Sequence, residues 1–325
     1  MTPLQFETQH QAEWLELEGM LARLLGRRKA RGGERISGVR LAMLYRRCCE
    51  QLALARSRAY PAYLLDRLER LTADAHQVIY QRRDFGLRRL QRMIAVDFPR
   101  AVRAQARYIW LSTALLAVPT LVVGWLVYTR PELILSVVSA DTAGSFEQMY
   151  SKSAESIGRD RGASNDWYMF GNYISHNISI AFQCFAGGLF AGFGSVVFLV
   201  YNGAVFGAVA GFLTDKGLAD TFYPFVVTHS AFELTAIVLA GACGLRIGHA
   251  LLAPGRQRRL DSLIAACREC ALILYGVTVM LLVAAAVEAF WSSASWLPQA
   301  VKYPVAAVCW LAVLAYLGLQ GRNAD

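Results

Sequence analysis

The sequence predicts an all-α protein in two parts, a basic cytoplasmic helical region at the N-terminus and a polytopic domain of six transmembrane helices. Three observations predict it. Of the 325 residues, 55% are hydrophobic and 18% charged, and the mean hydropathy is +0.34, too apolar for an ordinary soluble domain. The charge is uneven: residues 1–106 hold 20 Arg/Lys against 11 Asp/Glu, while the remainder holds 13 of each. Finally, the last two thirds contain six apolar runs near the length that crosses a hydrocarbon core of about 30 Å. No apolar stretch follows the first methionine as a cleavable signal peptide requires.

Residues 1–106 form the first domain. Trp14, Leu15, Leu17, Leu21, Leu24 and Leu25 recur at helical spacing. In 39–58, Leu41, Leu44, Tyr45, Cys48, Leu52 and Ala55 share one side, and in 62–80 the stripe runs through Leu64, Leu65, Leu68, Leu71, Ala75, Val78 and Ile79. Gly32-Gly33 and Tyr60-Pro61 punctuate these helices. Arg88, Arg89, Arg92, Arg100, Arg103 and Arg107 lead into the first span and are expected to meet anionic headgroups, as are Arg256, Arg258 and Arg259 later on. No nucleic-acid recognition motif accompanies the basic charge, and neither a nucleic-acid partner nor a cofactor is expected. Cys48-Cys49 and Cys267-x-x-Cys270 are read as small packing residues rather than a metal or redox site.

The membrane domain, 107–321, has spans at about 108–128, 172–191, 195–214, 225–245, 271–290 and 303–319. Pro119 kinks the first, and Gly192-Phe193-Gly194 splits the second from the third. A cytoplasmic N-terminus puts Arg246, Arg268, Arg322 and the nine arginines above inside. Arg130, Lys152, Arg159, Arg161, Lys216 and Lys302 then fall outside, so the positive-inside rule places both termini in the cytoplasm. The outer segment 129–171 is expected to form interfacial helices over 131–138 and 146–154 that gate the outer mouth or dock a partner.

Polar residues within the spans line up. Asn172, His176, Ser179 and Gln183 occupy one helix face, and His229 and Glu233 lie one turn apart on the fourth span. Asn202 adds an amide near the midplane, and the set predicts a polar funnel open to the exterior. The funnel admits three readings: structural hydrogen bonding between helices, proton- or cation-coupled transport through Glu233 and His229, or a metal site of His176, His229 and Glu233 in an intramembrane hydrolase. Glu288 is read as snorkelling to the outer headgroups rather than joining the rim. Gly203-x-x-x-Gly207-x-x-x-Gly211 and Gly188-x-x-x-Gly192 give smooth faces, which predict a tight unit of spans two to four or, equally, a homodimer contact.

The runs MYSKSAESIGR, MFGNYISHNISIAFQCFAGGLFAGFGSVVFLVYNGAVFGAVAG, THSAFELTAIVLAGACGLRIGHALLAPGR and VEAFWS resemble, in order, the stage II sporulation protein M family of bacterial integral membrane proteins. The runs FETQHQAEWLELEGML, LYRRCCEQLALARSRAYPAYLLDRLERLTADAHQVIY and DFPRAVR are similar to the helical extension of its longer, non-sporulation branch. His176 stands where the family more often has Asn, and Ser230 where Gly is usual. The resemblance implies an inner-membrane scaffold without established catalytic activity. For the longer branch it implies an envelope complex with a MoxR-type AAA ATPase and a von Willebrand factor A-like protein. Asn177, Asn202, His229 and Glu233 carry over as motif residues.

Overall fold

A computed structural model describes residues 1–24, 37–80, 87–151, 163–294 and 296–322. Gly32-Gly33, Lys152, Arg159, Arg161, most of the MYSKSAESIGR run and the end of the expected helix 146–154 lie outside the described residues, as does the Arg88 side chain. The described chain is helical and divides into two compact units, 1–89 and 90–325.

In the first unit, α1 (Pro3–Leu24), α2 (Gly38–Ser57) and α3 (Ala62–Tyr80) follow the sequence periodicity within a few residues. Ser37 caps α2 by accepting from the Arg40 amide. The three apolar stripes meet in one core around Phe6, Trp14, Leu17, Leu44, Leu64 and Leu68, whereas Leu15 points to solvent. Trp14 Nε1 donates to Gln51 Oε1 at 2.6 Å, so a buried polar atom is satisfied. Among the described residues, four arginines pair with glutamates within the unit. Arg40 binds Glu16 with two nitrogens at 2.8 and 2.6 Å, Arg47 pairs with Glu13 and Arg56 with Glu69. Arg67 reaches Glu18 and Glu7 and lies over the Trp14 ring. Burial pushes the Cys48 thiol up to about 12, as a packing residue requires and a reactive one does not.

The second unit begins with α4 (Leu87–Arg92), whose last residues belong to it, and a π-turn at Met93–Asp97. There follow α5 (Phe98–Ala104), α6 (Ala106–Thr129), α7 (Ala140–Tyr150), α8 (Ala163–Ala186), α9 (Phe193–Asp215), α10 (Ala219–Leu252), α11 (Arg259–Ala286) and α12 (Gln299–Leu319). Among the described residues, five helices are long and apolar enough to cross a membrane: α6, α9, α10, α11 with its π-helical continuation to Ser292, and α12. The expected second span, 172–191, is helical as α8 only to Ala186, where a 3₁₀ turn at Gly187–Leu189 breaks the helix before the expected Gly192–Gly194. Its polar residues keep α8 out of that group. Helix α10 runs for 34 residues, well past the apolar stretch 225–245, because its middle is the centre of the unit; it touches α6, α8, α9, α11 and α12. In the outer segment, Pro131–Ser136 winds as a 3₁₀-helix and α7 starts earlier than expected, at a cap where Ser139 Oγ accepts from the Thr142 amide.

The glycine faces correct an expectation. A Cβ on Gly203, Gly207 or Gly211 would strike the carbonyls of Leu116, Thr120 and Gly124, so α6 occupies this face, not the second or fourth span and not a second copy. The Gly188 face meets the Gly244 backbone of α10, and Gly192 (φ +85°) opens α9 against Gly248. The arginines entering the first span are likewise engaged. Arg100 and Arg103 donate to the carbonyls of Gly321 and Leu317 at the end of α12, and Arg107 lies over the Tyr108 ring. Arg256 and Arg258, in the turn between α10 and α11, and Arg259, the first residue of α11, are exposed.

Candidate functional site: a polar cavity within the helices

Helix α10 supplies His229 and Glu233, whose one-turn spacing places both on one face. The continuation of α11 winds as a π-helix over Val287–Ser292, a deformation that recurs at functional sites, and carries Glu288 and Ser292. One donor atom from each of His229, Glu233 and Glu288 lies within 4.8 Å of the others. His229 is buried; its Nδ1 sits 3.0 Å from Ser292 Oγ and its Nε2 3.9 Å from Glu233 Oε2. Lys302 of α12, also buried, donates from Nζ to the Ser292 carbonyl at 2.8 Å.

His229, Glu233 and Glu288 border a cavity of about 1020 Å³ lined by residues of α5 to α10 and α12. Asn177 of α8 lines it as well. The residue is 1% exposed, its Nδ2 has no hydrogen-bond partner among the described residues, and it faces Glu233 and Glu288. From the outer segment, α7 brings Tyr150 to the same wall, where burial and the nearby Glu288, Tyr173 and Glu233 push the phenol up. Thr221 Oγ1 donates to the Tyr150 carbonyl at 2.7 Å and ties α7 to α10.

The buried polar candidates Asn177, Gln183, Asn202, His229 and Glu233 all line this cavity, whereas Asn172 and Ser179 of the expected funnel face are exposed and do not. They differ in engagement. Gln183 is exposed, and Asn202 spends its Nδ2 on the Phe198 carbonyl of its own helix at 2.7 Å. His176 also borders the cavity but is exposed and outside the three-residue cluster, so the grouping of His176 with His229 and Glu233 is replaced by one with Glu288. Glu288 turns inward instead of snorkelling, because the π-turn aims it at α10. Ser292 and Lys302 were missed. The VEAFWS run held the first, and a lone lysine in the apolar α12 was the available signal for the second. The Cys267-x-x-Cys270 pair is not a site: Cys270 donates to the Cys243 carbonyl at 3.8 Å while Cys267 is exposed.

The first unit matches, over residues 4–81, a family model described as a domain of unknown function (DUF8413). Neither the curated proteins nor the solved structures give a match to the chain. Over residues 112–293, more than half of the chain and the whole of the cavity-forming α8 to α10, the sequence matches the model of stage II sporulation protein M, and the chain belongs to that family.

Proposed function

We propose that this membrane protein binds a cation or proton in the α8–α10–α11 cavity and couples that binding to transport. The observation that carries the reading is the convergence of His229, Glu233 and Glu288 with the buried amide of Asn177 inside a cavity among membrane helices. Ionisable groups at membrane depth are costly and are kept where they handle charge. In this reading α8, at 24 residues about 36 Å long, crosses as a sixth span despite its polar residues, of which His176, Asn177 and Gln183 line the cavity. Both termini lie in the cytoplasm of a bacterial inner membrane, and α7 covers the outer mouth through Tyr150. Purified protein reconstituted in liposomes tests it: Glu233→Gln is expected to abolish proton or cation flux while the protein stays folded. Equal flux from wild type and variant overturns it.

A second reading, a scaffold in an envelope complex worked by a MoxR-type AAA ATPase, is favoured by the separate three-helix unit preceding the membrane helices. It predicts that removing residues 1–89 releases native partners from the membrane protein. Retention of every partner by the truncated chain sinks it.

A further inference from the structure

The cavity reading leaves the bound species open between a proton and a metal ion, and the geometry of the cluster separates them. His229 Nδ1 is committed to Ser292 Oγ at 3.0 Å, and Ser292 is fixed in turn by Lys302 on its carbonyl. A histidine held this way through one nitrogen presents the other at a set angle, the arrangement that orients metal-binding imidazoles. The free nitrogen, Nε2, looks toward Glu233 Oε2 across 3.9 Å. That exceeds a hydrogen bond, about 2.7–3.2 Å. It lies within the span of two ligands sharing one ion, each about 2.0–2.2 Å from it. Glu288 completes a triangle whose donor atoms are no more than 4.8 Å apart. Side-chain rotation that draws the donor atoms together by about an ångström closes it around an ion.

Two further facts point the same way. Among the described residues, Glu233 makes no ion pair with Lys or Arg and Glu288 makes no ion pair at all, so two carboxylates share one corner of the cavity without a guanidinium or ammonium partner. Independently, the buried Asn177 amide stands beside both of them, its Nδ2 too far from either for a hydrogen bond of ordinary length. An ion that draws a carboxylate oxygen toward it gives Nδ2 an acceptor; turned over, the same amide offers Oδ1 as a fourth ligand. We infer that His229, Glu233 and Glu288, with Asn177 beside them, bind a divalent first-row transition metal ion. One imidazole with two carboxylates suits the manganese, iron and zinc ions, whereas magnesium and calcium take oxygen alone. The cavity gives the ion a route in, since all four residues line it. This inference rests on the cation-binding reading above and names its ion.

The test uses full-length protein in detergent, stripped with a chelator, equilibrated with Zn²⁺ or Mn²⁺, desalted and analysed for metal per chain. About one ion per chain is expected, held about tenfold or more weaker in Glu288→Gln and His229→Gln and unchanged in His176→Gln. Equal affinity in wild type and Glu288→Gln overturns the inference, as does displacement of Zn²⁺ by equimolar Ca²⁺. Should Glu288→Gln fail to fold, the wild-type Co²⁺ complex decides: a visible spectrum distinct from the aqueous ion is expected, and a spectrum identical to it overturns the site. Proton flux that depends on Glu233 in protein that binds no metal removes this inference and leaves the transport reading standing. Stoichiometric metal without flux does the reverse.

Discussion

The two units treat charge in opposite ways. In the three-helix unit, Arg40, Arg47, Arg56 and Arg67 are matched by glutamates on neighbouring helices, above an apolar core whose one buried amide, Gln51, is fully engaged. In the membrane unit the net charge is close to zero, yet Glu233, Glu288 and Asn177 stand together at a cavity wall with few partners. Part of the arginine content of the first third thus serves structure, in pairs between neighbouring helices. The chemistry sits where the sequence is electrically quiet.

The strongest challenge to that separation is Trp14→Ala. Trp14 is 1% exposed and joins all three helices of its unit, so truncation is expected to cost about 3–5 kcal/mol. Hydrogen exchange on the full-length protein is expected to speed up throughout α1 to α3 and to leave α10 protected. Faster exchange in α10 breaks the separation into independent units.

Gly207→Leu probes the other side. Its Cβ would collide with the Thr120 carbonyl of α6, and backbone cannot step aside as a flexible side chain can. Overpacking of this kind costs about 1–3 kcal/mol. A lower melting temperature in detergent is expected, with Gly207→Ala milder and exchange in α1 to α3 unchanged. A variant that melts with wild type shows that the α6–α9 contact is looser than described.

Gln51→Leu sharpens the first half. It strands Trp14 Nε1 at a cost of about 1–2 kcal/mol and takes a hydrogen bond from Glu13. Burial pushes the Glu13 carboxyl up, but bonds from Gln51 and Arg47 outweigh it and hold the group below the usual carboxylate range. Arg40 does the same for Glu16. A carboxyl held low in the folded state contributes stability above its unfolded value, about 4.3, and loses it as pH falls further. Wild-type α1 to α3 should therefore lose protection below about pH 4, and Gln51→Leu, already weaker at pH 7, should lose less on acidification. Parallel losses in both proteins contradict the part assigned to Gln51.

Much of this was legible in the sequence, for reasons that also explain the exceptions. The stripes through Leu41, Leu44 and Cys48 and through Leu64, Leu68 and Leu71 were visible because a helix buried on one side must repeat its apolar residues every three to four positions. The cavity face of α8 was only half visible: of the polar residues that recur on one side, His176 and Gln183 line the cavity while Asn172 and Ser179 are exposed away from it. What faces what was not. The partner of the Gly203–Gly211 face is set by how α6 folds back, and nothing in the spacing of the glycines distinguishes α6 from α8 or from a second chain. Glu288 was misplaced because a π-turn changes its direction, and the residues of Val287–Ser292 do not announce the extra residue per turn. His176 sits on the expected face of α8 but one position before the buried Asn177, a difference of about 100° around the helix that decides which side chain meets the carboxylates.

The smallest effect gives the comparison a control of opposite sign. Gly19 lies inside α1, and a Cβ built there meets nothing within 4 Å. Glycine in a helix interior is less favourable than alanine by about 0.5–1 kcal/mol, because the unfolded chain loses more freedom. Where no neighbour resists the added methyl, that difference should emerge as a gain, so Gly19→Ala is expected to slow exchange in α1. Gly207→Ala, chemically the same change, meets the Thr120 carbonyl and should destabilise. If both substitutions stabilise, close backbone packing is not what keeps glycine on α9. If both destabilise, α1 has a neighbour at Gly19 that the open space around it does not show.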